Sequence, residues 1–354
     1  MPLKTPLIGM DTAQLRAVAE EAGMRPFAGG QIARWLYSNK VRSIDDMTNL
    51  PKDGRSRLSQ RYQAGPVAPL RVARSADGTV KYLFCVAPDG CLAGPGETSD
   101  GVFVESVVIP DGQRRTLCVS SQAGCRMGCR FCATGAGGFK RNLSVAGILA
   151  QFLSIDNPEE LTNAVFMGMG EPFDNTDAVL AAIDVLTAGW GFAWSPKRIT
   201  VSTAGVIPGL KRFLDASLCH LAVSLHSPFA EQRAELMPVQ KAYGILDVLD
   251  LIRRYDFTGQ RRVSFEYTMF AGVNDTKRHA DGLVSLLRGL ECRVNLIRCN
   301  AVPGLPFAPP ADVVMEMFRK RLNAGGITAT IRISKGEDID AACGMLAGKE
   351  GGVC

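Results

Sequence analysis

Three cysteines in one short loop are the residues whose chemistry is most constrained. Gly124-Cys125-Arg-Met-Gly-Cys129-Arg-Phe-Cys132-Ala-Thr-Gly sets them at C-x3-C-x2-C. That spacing lets three thiolates face one metal centre, with Gly124 and Gly128 letting the backbone wrap it. Three readings compete. Thiols that only pack a core do not need to crowd into a glycine-rich loop. A structural zinc site needs a fourth ligand and usually pairs two knuckles. No second C-x2-C exists here, and the three histidines lie far along the chain. The third reading is an iron–sulfur cubane held by three thiolates, which leaves one iron open to a substrate ligand.

Other residues could serve such a centre, and each has a plainer explanation. Gly168-Met-Gly170-Glu171-Pro172 follows an apolar run, where glycines permit close backbone approach; a simple strand-to-helix turn would look the same. Ser202, Ser224 and Asn300 fall at the ends of apolar runs, where strand–helix folds gather polar groups. A serine there commonly caps the next helix. Leu225 and His226 follow Ser224, and a lone histidine is more often structural than catalytic. Cys118, in TLCVSS, reads on periodicity as a buried thiol. Cys343, in DIDAACG, would be unremarkable on a helix or turn. Glu105 interrupts the apolar strand VFVESVV, as an exposed strand-face carboxylate would. The other six cysteines read as packing or surface thiols, with Cys354 the last residue.

The elements that position these residues follow from periodicity. From residue 114, short apolar runs alternate with helical stretches. TLCVSS, NAVFMGMG, RITVSTAG, CHLAVSLHS, RRVSFEYTMF, CRVNLIRCN and ITATIRIS are seven strand candidates. Such alternation predicts an α/β fold with a parallel sheet, as a partial or near-full (β/α) barrel or a doubly wound sheet. Residues 70–112 read as β. Asp77-Gly78 is a hairpin signal, and GVFVESVVIP is a strand stopped by Pro110 and Asp111-Gly112. Ala87–Asp100 reads as a flexible insertion. Earlier, Asp11 caps a helix through LRAVAEEAG, a second unit starts at Arg25-Pro26-Phe27, and a third helix spans Lys52–Tyr62. The expected division is a helical accessory domain (1–64), a small β segment (65–112), the barrel (113–346) and a tail (347–354).

The 354 residues are 46% hydrophobic and 21% charged, which argues against global disorder. No apolar run approaches the ~20 residues that cross a bilayer. MPLKTPLIGMDTAQLR lacks the apolar core of a signal peptide, so a cytoplasmic location is expected. In that reducing compartment eleven cysteines are not a disulfide framework. Residues 1–64 hold ten Lys/Arg against six Asp/Glu, nearly all of the net charge of +5. That is either a solvated helical surface or a face for phosphates.

C-x3-C-x2-C with Phe131 before the last cysteine resembles the signature of the radical S-adenosylmethionine superfamily. Along this chain stand LCVSSQAGCRMGCRFCATG, FKRNLS, FMGMGEP, VSTAGVIPGL, SLHSP, LMPV, GVND, VNLIRCN and GEDIDAACG, in this order. These motifs resemble the dual-specificity adenine-C2 RNA methyltransferases of the RlmN type, and the N-terminal RPF and WLY are similar too. The resemblance implies a [4Fe–4S] cluster on Cys125, Cys129 and Cys132, and two S-adenosylmethionine molecules per turnover. Gly170, Glu171, Ser202, Ser224, Leu225, His226 and Asn300 would bind S-adenosylmethionine. One such molecule would methylate Cys343 at sulfur. A 5′-deoxyadenosyl radical from another would take hydrogen from that methyl group, and the methylene radical would add to carbon 2 of adenine. Cys118 would then form a transient disulfide with Cys343, and Glu105 would accept a proton. A radical route suits carbon 2, which is electron-poor and cannot attack a methyl cation equivalent. The implied partners are large-subunit ribosomal RNA, the tRNA anticodon loop and an electron donor such as flavodoxin or ferredoxin. A monomer with no membrane association is expected.

Ala301 departs from the family, which usually has proline after the asparagine. A sibling group of Cfr-type antibiotic-resistance enzymes acts on carbon 8 and shares most of these motifs; Pro303-Gly304-Leu-Pro306 resembles the carbon-2 group better. A radical enzyme with another substrate, and a non-enzymatic iron–sulfur or zinc RNA-binding protein, are the readings from other classes.

Overall fold

The computed structural model describes residues 4–97, 101–257, 261–300 and 304–348. Its first helix is capped as expected. The Asp11 side chain accepts from Gln14 N at 2.8 Å, and Gln14 accepts from Asp11 N at 2.9 Å. Helix α1 then runs Thr12–Glu21, α2 Ala28–Ala33 (continuing as a π-type turn to Ser38) and α3 Lys52–Arg61. Strands β1 (Thr5–Pro6) and β2 (Tyr62–Gln63) pair in parallel across the ends of this unit. Tyr37 seats it on the rest of the molecule: its ring meets Trp190 and Phe192 at 5.8 and 5.7 Å. Its hydroxyl accepts from Gly9 N and donates to Met10 O. This interior is continuous with the barrel core.

Residues 65–112 extend the barrel's sheet. β3 (Arg71–Arg74) and β4 (Val80–Val86) form the hairpin expected around Asp77-Gly78. β5 (Leu92–Ala93) pairs with β4, and β6 (Phe103–Asp111) pairs with β4 on one side and β7 (Arg114–Cys118) on the other. Two expectations fail here. Pro110 does not stop β6: it lies opposite Arg115 beyond the end of β4, at an outer position where the missing N–H breaks no ladder. Ala87–Glu97 is not a loose insertion either. β5 anchors it, and Gly90 O accepts from Ser144 N at 3.0 Å. Thr98–Asp100, like Ala301–Pro303 and Cys354, lie outside the described residues.

A short hairpin, β8 (Gln122–Gly124) with β9 (Phe139–Asn142), brackets α4 (Ala133–Ala136). Then come α5 (Val145–Leu153), β10 (Asn163–Phe166), α6 (Thr176–Thr187), β11 (Ile199–Thr203), α7 (Ile207–Ala216) and β12 (His220–Ser224). α8 (Ala230–Leu236), α9 (Ile245–Ile252), β13 (Val263–Met269), α10 (Lys277–Leu286), β14 (Arg293–Arg298), α11 (Asp312–Ala324) and β15 (Thr328–Arg332) complete the series. All seven strand candidates are present and parallel, in spatial order β7, β10, β11, β12, β13, β14, β15. β3 and β15 are the sheet's edges, and among the described residues no ladder joins them, so the barrel is partial. Side chains bridge the gap instead. Asp77 accepts from Gly336 N at 2.9 Å and Asp338 from Ala76 N at 3.2 Å.

Candidate active site

The cysteine loop leaves β8 and returns on β9. Cys125 N donates to Gly138 O at 3.2 Å, and Cys132 N to Cys129 O at 3.2 Å. Arg126 lies over the Phe139 ring at 3.6 Å and pairs with Asp174 at 3.0 Å. Arg130 N donates to Leu236 O at 3.0 Å, fastening the loop to α8. Gly124 has φ +75°, and a Cβ there would collide with the Gly138 carbonyl. Gly124→Ala is therefore expected to cost about 2 kcal/mol or more and to unseat the loop. Iron uptake and the melting temperature of the metal-free protein check this; a variant that matches the parent in both refutes it.

The three thiols share one cavity with Gly170, Glu171, Ser202, Ser224, His226, Asn300 and Cys343. All sit at the C-terminal ends of barrel strands or in the loops beyond, where such folds carry their chemistry. Glu171 is buried with both oxygens engaged. Oε1 accepts from Thr203 Oγ1 at 2.7 Å and Phe173 N at 3.1 Å, and Oε2 from Ala204 N at 2.7 Å. Burial pushes its carboxyl up to about 7 against these bonds. Ser202 and Ser224 cap nothing, since α7 and α8 begin without side-chain caps. His226 Nδ1 accepts from Thr268 N at 2.9 Å, which makes Nε2 the protonated nitrogen of the neutral ring. Burial, then the Arg233 charge, push this imidazole down to about 3, so it is neutral. Its backbone is left-handed, φ +55°, and Asn274 of the GVND motif holds it there by donating to His226 O at 2.8 Å. Leu225 is fully buried and does not line the cavity.

The segment carrying Cys343 docks on the cysteine loop. Ala133 N donates to Gly344 O at 2.8 Å, and Thr134 Oγ1 to Leu346 O at 2.5 Å. Asn300 Nδ2 donates to Cys343 O at 3.1 Å while its Oδ1 accepts from Ser334. Cys343 is open to the cavity, yet the surrounding protein and then Glu266 push its thiol up. Cys118, buried at the end of β7, is close enough for the Cys343 charge to add to the upward push of burial on its thiol.

Glu105 is not the exposed strand-face carboxylate of the plainer reading. It is buried but does not line the cavity. Lys81 Nζ meets its Oε1 at 3.0 Å, and Oε2 accepts from Ala347 N at 2.9 Å and Gly348 N at 3.0 Å. The carboxylate therefore straps down the Cys343 segment. Glu105→Ala removes the counter-ion of a largely buried lysine, leaving it the Asp340 carbonyl, and leaves two amides without an acceptor, a loss of about 3 kcal/mol. Amide hydrogen exchange at Ala347 and Gly348 is expected to quicken accordingly; unchanged protection would dismiss the strap.

Comparison with known proteins decides the family. A sequence profile described as the Radical SAM superfamily matches residues 119–281, and one described as the ribosomal RNA large subunit methyltransferase N-terminal domain matches residues 5–63. A probable dual-specificity RNA methyltransferase RlmN of Bacteroides thetaiotaomicron is 51% identical over 98% of this chain and 97% of its own. A protein of the same name from Porphyromonas gingivalis is 53% identical over 97% of this chain and 94% of its own. The chain belongs to the RlmN family of radical SAM methyltransferases. A solved radical SAM methyltransferase from Sphaerobacter thermophilus matches with a TM-score of 0.89 and 38% identity, over 98% of this chain and 100% of that one.

RlmN membership implies a [4Fe–4S] cluster and S-adenosylmethionine. The donor set fits the cluster. The three free cysteines face one cavity, and Met127 N points at Cys125 Sγ at 3.5 Å. Burial pushes Cys125 up to about 12 and raises Cys129 further, so metal must displace their protons. Among the described residues no three His, Cys, Asp or Glu are grouped tightly enough for a single ion. A cubane, whose ligands stand apart around it, does not require that closeness. Glu266 also lines this cavity, its Oε1 held by Ser264 at 2.9 Å and Asn295 at 2.7 Å. In the sequence it was one alternating polar position of a strand, so only the sheet's curvature reveals it.

Proposed function

We propose that this chain methylates carbon 2 of adenosine in large-subunit ribosomal RNA and in the tRNA anticodon loop, through S-methylated Cys343. The docking of the Cys343 segment on the cysteine loop carries the reading, since it turns that thiol into the cavity the three cysteines line. When bound, the cluster and S-adenosylmethionine supply the methyl group and the radical that activates it. Cys125, Cys129 and Cys132 hold the cluster. Gly170, Glu171, Ser202, Ser224 and His226 wall the S-adenosylmethionine site, and Asn300 fixes the Cys343 carbonyl. Cys343 carries the methyl carbon to the base. Cys118 resolves the resulting bond by attacking the Cys343 sulfur. Glu105 can act as a proton acceptor only when the segment it straps lets go. The relatives' name supports RNA as the substrate, and exposed Arg25, Arg34 and Lys52 on the N-terminal unit offer charges for phosphates. An external one-electron donor is required, and a monomer is the simplest working form. No helix among the described residues is long and apolar enough to cross a membrane, which suits a cytoplasmic enzyme.

The test is anaerobic turnover with reductant, S-adenosylmethionine and unmodified ribosomal RNA or tRNA, with nucleosides read by mass spectrometry. 2-Methyladenosine from both pools is expected. 8-Methyladenosine would overturn the carbon-2 assignment, and no methylated adenosine with the cofactor still cleaved would overturn the substrate.

A further inference from the structure

Arg233, on α8, is a fully buried guanidinium with no carboxylate partner among the described residues. Nη1 donates to Gln240 Oε1 at 2.6 Å, and Nη2 to the carbonyls of Ala204 and Ser224 at 2.7 and 2.9 Å. Nε is buried and unbonded. All three acceptors are neutral. A buried cation without a counter-ion is costly, and a neutral side chain of similar volume would fill the space at less cost. A guanidinium keeps its charge at neutral pH even when buried. Ala204 and Ser224, whose carbonyls it holds, line the same cavity as Cys125, Cys129 and Cys132, and Cys129 lies within electrostatic reach of the guanidinium.

We propose that Arg233 is the fixed counter-charge of the cluster on Cys125, Cys129 and Cys132, and that it holds the cluster's reduction potential up. Three thiolates leave such a cluster with net negative charge. Accepting one electron from a one-electron donor adds another, with no bond made or broken. A buried cation nearby stabilises the reduced form more than the oxidised one, so the potential rises. The surroundings keep the charge in place. Arg130 N on Leu236 O ties α8 to the cysteine loop. Ala204 is gripped from both sides, its N–H by Glu171 and its carbonyl by Arg233, while Ser224 O anchors the end of β12. Arg233 is thus a positioning residue that acts through the cluster and touches no reacting atom.

The inference rests on the assignment of the cluster to the three cysteines, and one experiment separates the two claims. The parent, Arg233→Met, Arg233→Gln and Arg233→Lys would be loaded anaerobically with iron and sulfide and assayed for both. Each would then be titrated with dithionite under EPR, without S-adenosylmethionine or RNA. The Met and Gln variants are expected to show a more negative midpoint potential, and Lys a value near the parent's. Equal potentials in parent and Met at full iron content would overturn the charge role and leave the cluster assignment standing. A parent that takes up no iron would overturn the assignment itself. A shift in Lys as large as in Met would credit the carbonyl bonds instead and also overturn the proposal. So would failure of both neutral variants to fold without metal, because a cation balanced by the cluster is not what holds the metal-free fold together.

Discussion

Cys118→Ala protein given reductant, S-adenosylmethionine and RNA is expected to stop with RNA bound covalently to Cys343. Sustained turnover should fall about 10³-fold or more, the scale seen when one member of an interdependent catalytic set is removed. In the proposed sequence the base is joined through a methylene to the Cys343 sulfur. Release requires a second thiol to attack that sulfur. The sulfur–sulfur bond forms, the carbon–sulfur bond breaks, and the carbon leaves with the electron pair and gains a proton. The disulfide retains the oxidation and must be reduced before the next round. Cys118 suits this task because it is buried at the end of β7, within electrostatic reach of Cys343. Its depth keeps bulk thiols from substituting for it. A denaturing gel of labelled RNA reads the outcome. Normal turnover, or an adduct that survives when Cys343 is also replaced, would sink the resolving role.

Cys125→Ala is expected to give a folded, colourless protein with almost no iron and no methylation above background, a loss on the order of 10⁶-fold or more. The fold should survive because no thiol holds the loop together. The Gly138 carbonyl, the Arg126–Asp174 pair and the Arg130–Leu236 bond do that. Compared without metal, the variant's stability should lie within about 1 kcal/mol of the parent's, as for a modest truncation at a half-buried position. Retained absorbance and iron would refute the ligand assignment, and an unfolded variant would refute the account of the loop.

Much of this molecule was legible because its signals are local. Asp11 and Gln14 cap each other three residues apart, Asp77-Gly78 makes its hairpin, and each barrel strand is announced by its own apolar run. The cysteine motif is local too. Pro110 misled because its tolerance depends on β4 ending before it, which no nearby residue announces. Ser202 and Ser224 looked like helix caps until the helices proved to start without them.

The strand–helix series, the loop that offers three thiolates and, through its ordered motifs, the family are all written in the amino-acid order. The tertiary structure sets which distant residues meet: Glu105 with Ala347, Ala133 with Gly344, Asp77 with Gly336, and Arg233 with two strand ends and, among the described residues, no carboxylate. Periodicity reports whether a side chain faces inward. It cannot report what stands opposite, because that is set by how the sheet curves and where a partial barrel leaves its gap.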